Sequence, residues 1–125
     1  MTDKSITLLA SAARTVETNS SDQQGYKGKM LVIIVDVSAI TDTPSITPTL
    51  EVKDSVSGNY FVAWRAAVAL AATGTSAYLF ALGGSGSAGL YTEAVNIRRS
   101  RTWRFQMEVA DADSATYSVS AEVLA

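Results

Sequence analysis

The sequence predicts an all-β fold: a single antiparallel β-sandwich, jelly-roll or immunoglobulin-like, of seven to nine strands over residues 1–125. Two observations carry this. Apolar side chains alternate with polar ones at period two along several short stretches. Turn-forming clusters separate those stretches, and no long amphipathic segment or repeat interrupts them.

The elements follow in order. Ile6 to Ala12 is faintly like a signal peptide, but its apolar core is very short and Asp3, Lys4 and Arg14 flank it, so it reads as a first strand. Residues 1–25 are a possible N-terminal arm. Met30 to Val35 is a continuous apolar run of strand length, which predicts cover on both faces. One face meets the core; a loop, a terminus or another subunit covers the other. Ile46, Pro48, Leu50 and Val52 alternate with Thr47, Thr49, Glu51 and Lys53. Pro48 cannot donate to a ladder, so this arm is expected at an edge or a bulge. The cluster Asp54 to Asn59 turns the chain into a second arm, with Tyr60, Val62 and Trp64 on one face. Ala66 to Ala72 is ambiguous between helix and strand by Ala content, and strand is preferred. Ser76 to Leu82 and Ala94 to Arg98 are further strands, and Gly83 to Gly89 a loop. Trp103, Phe105, Met107 and Val109 then share one face, and Tyr117, Val119, Ala121 and Val123 repeat the pattern. The turn formers Asp111 to Ala115 between them predict a hairpin over 102–124.

Composition bounds the chemistry. A 125-residue chain needs neither disulfide nor metal to fold. With no Cys and no His, thiolate zinc sites, cysteine nucleophiles and His-based triads are excluded. The expectation is a non-enzymatic protein without a cofactor. A formal charge of -2 supplies no field for nucleic acid, and no run approaches the ~18 apolar residues that span a bilayer. Ala, Ser and Thr make up 47 of the 125 residues. Such small side chains suit a surface approached closely by partners, and equally a plain sandwich.

The motifs are weak. Gly84 to Gly89 spells GxGxxG, yet no helix or βαβ unit follows, so it reads as a surface loop. Asp111 and Asp113 resemble the start of a calcium loop, but the Gly and bidentate Glu are missing and a turn fits better. Asn19-Ser20-Ser21 matches a glycosylation acceptor and reads as loop. Arg98, Arg99, Arg101 and Arg104 cluster around Trp103 as the candidate partner-binding residues. They read as a solvated strand end, as a docking patch for an acidic protein surface, or, third, as a nucleic-acid contact. Trp64, Tyr60, Trp103 and Phe105 read as core rather than as a sugar-stacking row.

Residues 15–23, 36–45, 53–60, 101–104 and 110–118, taken in order, resemble small virion proteins of tailed bacteriophages. That resemblance implies a β-sandwich or jelly roll acting as a capsid decoration (cement) protein, with no catalytic residues to carry over. It implies the major capsid protein as partner and the capsid surface of the virion as location, after synthesis in the host cytoplasm. It does not separate head from neck or tail. The glycine-rich 83–89 loop departs from the family's pattern. Self-association is also expected, with a trimer favoured because three-fold sites are common on icosahedral shells. Multivalency would then strengthen modest contacts by roughly 10²- to 10⁴-fold. Two other readings stand beside this one: a ring-forming neck or tail component, and a carbohydrate-binding module using Tyr26, Tyr91 or Trp64.

Overall fold

The apolar stripes of the sequence settle onto two interior faces that pack against each other. The computed structural model describes residues 4–24, 30–81, 93–96 and 102–124. Its strands are β1 (Lys4–Arg14), β2 (Thr18–Asn19), β3 (Gln23–Gln24), β4 (Met30–Ile40), β5 (Ile46–Lys53), β6 (Tyr60–Arg65), β7 (Gly74–Ala81), β8 (Glu93–Asn96), β9 (Thr102–Val109) and β10 (Ala115–Leu124). One sheet has the order β1-β10-β4-β7-β8. The other has the order β2-β9-β5-β6, with β3 also on β9, so β2 and β3 form one interrupted edge.

The antiparallel pairings are nested in sequence. β5 pairs with β6, β4 with β7, β2 and β3 with β9, and β1 with β10. This is one long hairpin ribbon rolled into two sheets, the jelly-roll topology. It selects the first of the two sandwich types expected. β8 is an addition: it pairs with β7 in parallel, so the first sheet is mixed at that edge.

The core lies between the sheets. Leu31, Ile33, Val35 and Val37 of β4 and Tyr117, Val119, Ala121 and Val123 of β10 meet Leu50 and Val52 of β5 and Trp103, Phe105 and Met107 of β9. Trp64 sits where both sheets converge. Its ring centroid is 5.0 Å from those of Tyr78 and Phe80 and 6.3 Å from that of Phe105. Tilted and edge-on aromatic contacts of this kind add to simple area burial.

Five expectations are corrected. The 102–124 hairpin does not form, because β9 belongs to one sheet and β10 to the other. Residues 110–114 arch across the sandwich, tied by Thr41 N–H to the Ser114 carbonyl at 2.8 Å. Alternation reports which face is buried, not which strand is the neighbour. Ala66 to Ala72 is not a strand; it meets the sheet at Ala66 and at an isolated Ile46–Leu70 bridge. Methyl side chains offer little to a pleated surface, which is why alanine is a weak strand former. Pro48 lies on a strand flanked by both β9 and β6, not at an edge, although the β5–β6 pairing does carry the alternative expected, a register shift, between Leu50 and Glu51. Its carbonyl accepts from Ala66 N–H at 2.9 Å, just past the end of β6. Its ring nitrogen therefore points to where the ladder has stopped and no donor is needed.

Fourth, Tyr60, Val62 and Trp64 do not share a face. A register shift between Leu50 and Glu51 places Trp64 opposite Leu50 and Val62 opposite Glu51. Trp64 therefore turns into the core, while Val62 and Tyr60 turn outward. Fifth, the expected N-terminal arm is built in over its described part: β1 pairs with β10, and β2 and β3 pair with β9.

The apolar run of β4 is covered on both sides at one level. Val32 points away from the core, yet is only 4% exposed, and its neighbour Leu79 only 6%. Ile34, in the next row, is half-buried.

Candidate functional site

The rolled ribbon presents two outer faces of different chemistry. On the second sheet, β9 alternation turns Arg104 and Glu108 away from the Trp103–Met107 core face. The β5 register sets Glu51 opposite Arg104. Arg104 Nε donates to Glu51 Oε1 at 2.8 Å, and its guanidinium lies 3.6 Å from the Tyr60 ring centroid. The Tyr60 hydroxyl donates to Asp22, which also meets Lys53 Nζ at 3.4 Å. That hydrogen bond from Tyr60 holds the Asp22 carboxyl below the usual carboxylate range, with Lys53 adding to it. The same bond raises the Tyr60 phenol.

A second pair lies alongside. Arg65 reaches across β5 from β6 and donates to both carboxylate oxygens of Glu108, at 2.7 and 3.4 Å. Thr49, buried beneath, donates its hydroxyl to Glu108 Oε1 at 2.8 Å. Arg65 first, then Thr49, lower the Glu108 carboxyl against the opposing effect of burial. Among the described residues, three cations of this face each meet a carboxylate: Lys53 with Asp22, Arg65 with Glu108, Arg104 with Glu51. These three pairs cancel locally.

The outer face of the first sheet is plainer. Its rows run Ser5, Glu122, Val32, Leu79; then Thr7, Ser120, Ile34, Ala77; then Ser118, Asp36, Thr75. Hydroxyls and methyls surround the apolar centre, and only Glu122 and Asp36 in these rows carry charge. Thr75 donates to Asp36 at 3.1 Å. Small side chains on a pleated surface let another backbone approach closely.

Of the four arginines singled out in the sequence, the structure places Arg104 in the Glu51–Tyr60 contact; Arg98, Arg99 and Arg101 lie outside the described residues. Trp64 is 9% exposed and packed on three aromatic rings, so it offers no stacking platform. Tyr26, Tyr91 and the 83–89 loop lie outside the described residues. Asp111 and Asp113 form a turn: Asp113 N–H donates to Asp111 Oδ1 at 3.0 Å, and Thr43 N–H to Asp113 Oδ2 at 3.2 Å. Among the described residues, no cluster of three or more His, Cys, Asp or Glu is placed to hold a metal ion.

Sequence reading missed Glu51 and Tyr60 as partners of Arg104, and Asp22 as the partner of Tyr60. Glu51 stands at a polar position of its own stretch and Tyr60 reads as core, and joining them to Arg104 requires knowing that β5 lies beside β9. No protein-family model, no curated protein and no solved structure matches the chain.

Proposed function

We propose that this chain is a non-enzymatic virion structural protein: a capsid decoration protein of a tailed bacteriophage that self-associates and binds the outer surface of the head, reinforcing it. The outer face of the first sheet carries this reading. Its rows of Ser, Thr and Ala around Ile34 are small and lightly charged. Such a face can lie close against a protein shell without desolvating many ions. The jelly-roll topology is compatible, since viral coats and lectins both use it, though fold alone does not fix function. The absence of His and Cys from the sequence and the ordered resemblance described above support the same reading.

The test is a rebinding assay. Purified Ile34→Lys and Ser120→Lys variants, each with native circular dichroism, are added to particles stripped of the wild-type protein. Both residues lie in the central row, so occupancy should fall by about tenfold or more, as for a charge placed at the centre of an interface. Unchanged occupancy in both would remove this face from the proposal.

A further inference from the structure

The jelly roll leaves sheet edges, and they are not equivalent. β1 is blunted by two register shifts. Its Arg14 folds back onto the carbonyls of Ala10 and Ala12, a device that spoils pairing with a foreign strand. β2 and β3 are two residues each. β6 is different. Among the described residues it has one neighbour, β5, and its Phe61 and Val62 are 51% and 42% exposed. Of the exposed large apolar side chains, Val56, Phe61, Val62 and Val68 all fall on β6 or within a few residues of it.

The hydrogen-bond pattern shows what this edge can accept. Asp54 N–H donates to the Asn59 carbonyl at 2.7 Å, so Asn59 and, two residues on, Phe61 turn their backbone groups toward β5. Tyr60 and Val62 therefore turn theirs outward. An extended antiparallel strand centred on Phe61 would satisfy both.

We propose that the occupant is a second copy of this chain, joined β6 to β6 about a two-fold axis through Phe61. In that register Tyr60 of one copy faces Val62 of the other, and the two phenylalanines meet across the axis. Each outer-face row then runs Lys53, Tyr60, then Val62 and Glu51 of the second copy; Lys53 and Glu51 keep their own partners, Asp22 and Arg104, so neither brings an unpaired or like charge to the seam. Like residues meet only at the aromatic centre, where a cross-strand pair is favourable. The interface is self-complementary, as two-fold symmetry demands. It names the surface for the self-association proposed above and rests on that part of the reading. It builds a dimer, not the trimer favoured from the sequence.

Because the chain has no cysteine, Phe61→Cys and Val56→Cys each carry a single thiol. Residues opposed at a non-hydrogen-bonded position lie about 4.5 Å apart between Cα atoms, within disulfide range. Under mild oxidation Phe61→Cys should form a covalent dimer about tenfold or more faster than Val56→Cys, although Val56 is 93% exposed. Equal or slower crosslinking overturns the seam. In parallel, Val62→Pro removes one outward N–H without touching the β5 ladder, a tolerated edge substitution. It should weaken the association seen by sedimentation about tenfold, and unchanged association again overturns the seam. If light scattering still finds an oligomer after either failure, the seam falls and self-association stands. If the wild type is monomeric up to about 1 mM, both fall.

Discussion

Trp103 and Arg104 are adjacent in sequence and show the two ways a residue is held here. Trp103 is buried in the core and donates its indole N–H to the Gln24 carbonyl at 3.2 Å. Trp103→Ala should cost about 3–5 kcal/mol in urea melts, as for other buried aromatics. A loss under about 1 kcal/mol would contradict the core assignment. Arg104 faces outward and is held by Glu51 and the Tyr60 ring. A double-mutant cycle of Arg104→Gln and Glu51→Gln should give a coupling of about 0.5–3 kcal/mol, with no coupling expected if the two side chains were independent. The inward stripe of β9 was legible because period-two alternation is local. The Arg104 contact was not, because its partners stand 53 and 44 positions away in the chain, at Glu51 and Tyr60, and a charge cluster read from neighbours alone looks unpaired.

At the scale of elements, turns and strands were readable where their chemistry is local. The Asp54 to Asn59 turn is one such case. Asp54 accepts from Val56 N–H at 3.1 Å, from Ser57 N–H at 3.3 Å and from the Ser57 hydroxyl at 2.7 Å, and Gly58 takes a φ of +78°. A Cβ at Gly58 would meet nothing within 4 Å, so a substitution there is strained by backbone conformation alone. Gly58→Ala should therefore destabilise by about 1 kcal/mol, and Gly58→Asn by less, since Asn tolerates the left-handed region. Thermal melts of the two variants check the order. The arch at 110–114 was misread for the opposite reason. Its turn residues are the same kind as those at 54–59, but the strands they join face each other across the core instead of lying side by side. The two-residue strands β2 and β3 gave no periodic signal at all. They are held by Ser20, whose N–H and hydroxyl exchange bonds with the Phe105 backbone at 2.8 and 2.9 Å.

The molecule as a whole is a nested ribbon, and its outermost pairing joins Lys4 to Val123. Its response to pH follows from which groups folding perturbs. Asp22 and Glu108 have lowered folded pKa values, so their contribution is present above the ordinary carboxylate range and is lost as pH falls through the lower folded values. Tyr60 is raised by its bond to Asp22. Tyr117 is raised by burial, partly offset by Thr18 and Arg14. Those two contributions are present below the ordinary phenol value of about 10 and are lost as pH rises through the higher folded values. Stability should be flat between about pH 5 and 9 and decline on both sides. A decline centred near neutrality would mean that other groups control it.

The functional claim is tested most directly by counting copies of this protein per native particle, by quantitative mass spectrometry against the major capsid protein. A decoration protein covering the head should be present in hundreds of copies. A count of six or twelve would place it in a ring at the neck or tail, and its absence from the particle would contradict the proposed function altogether.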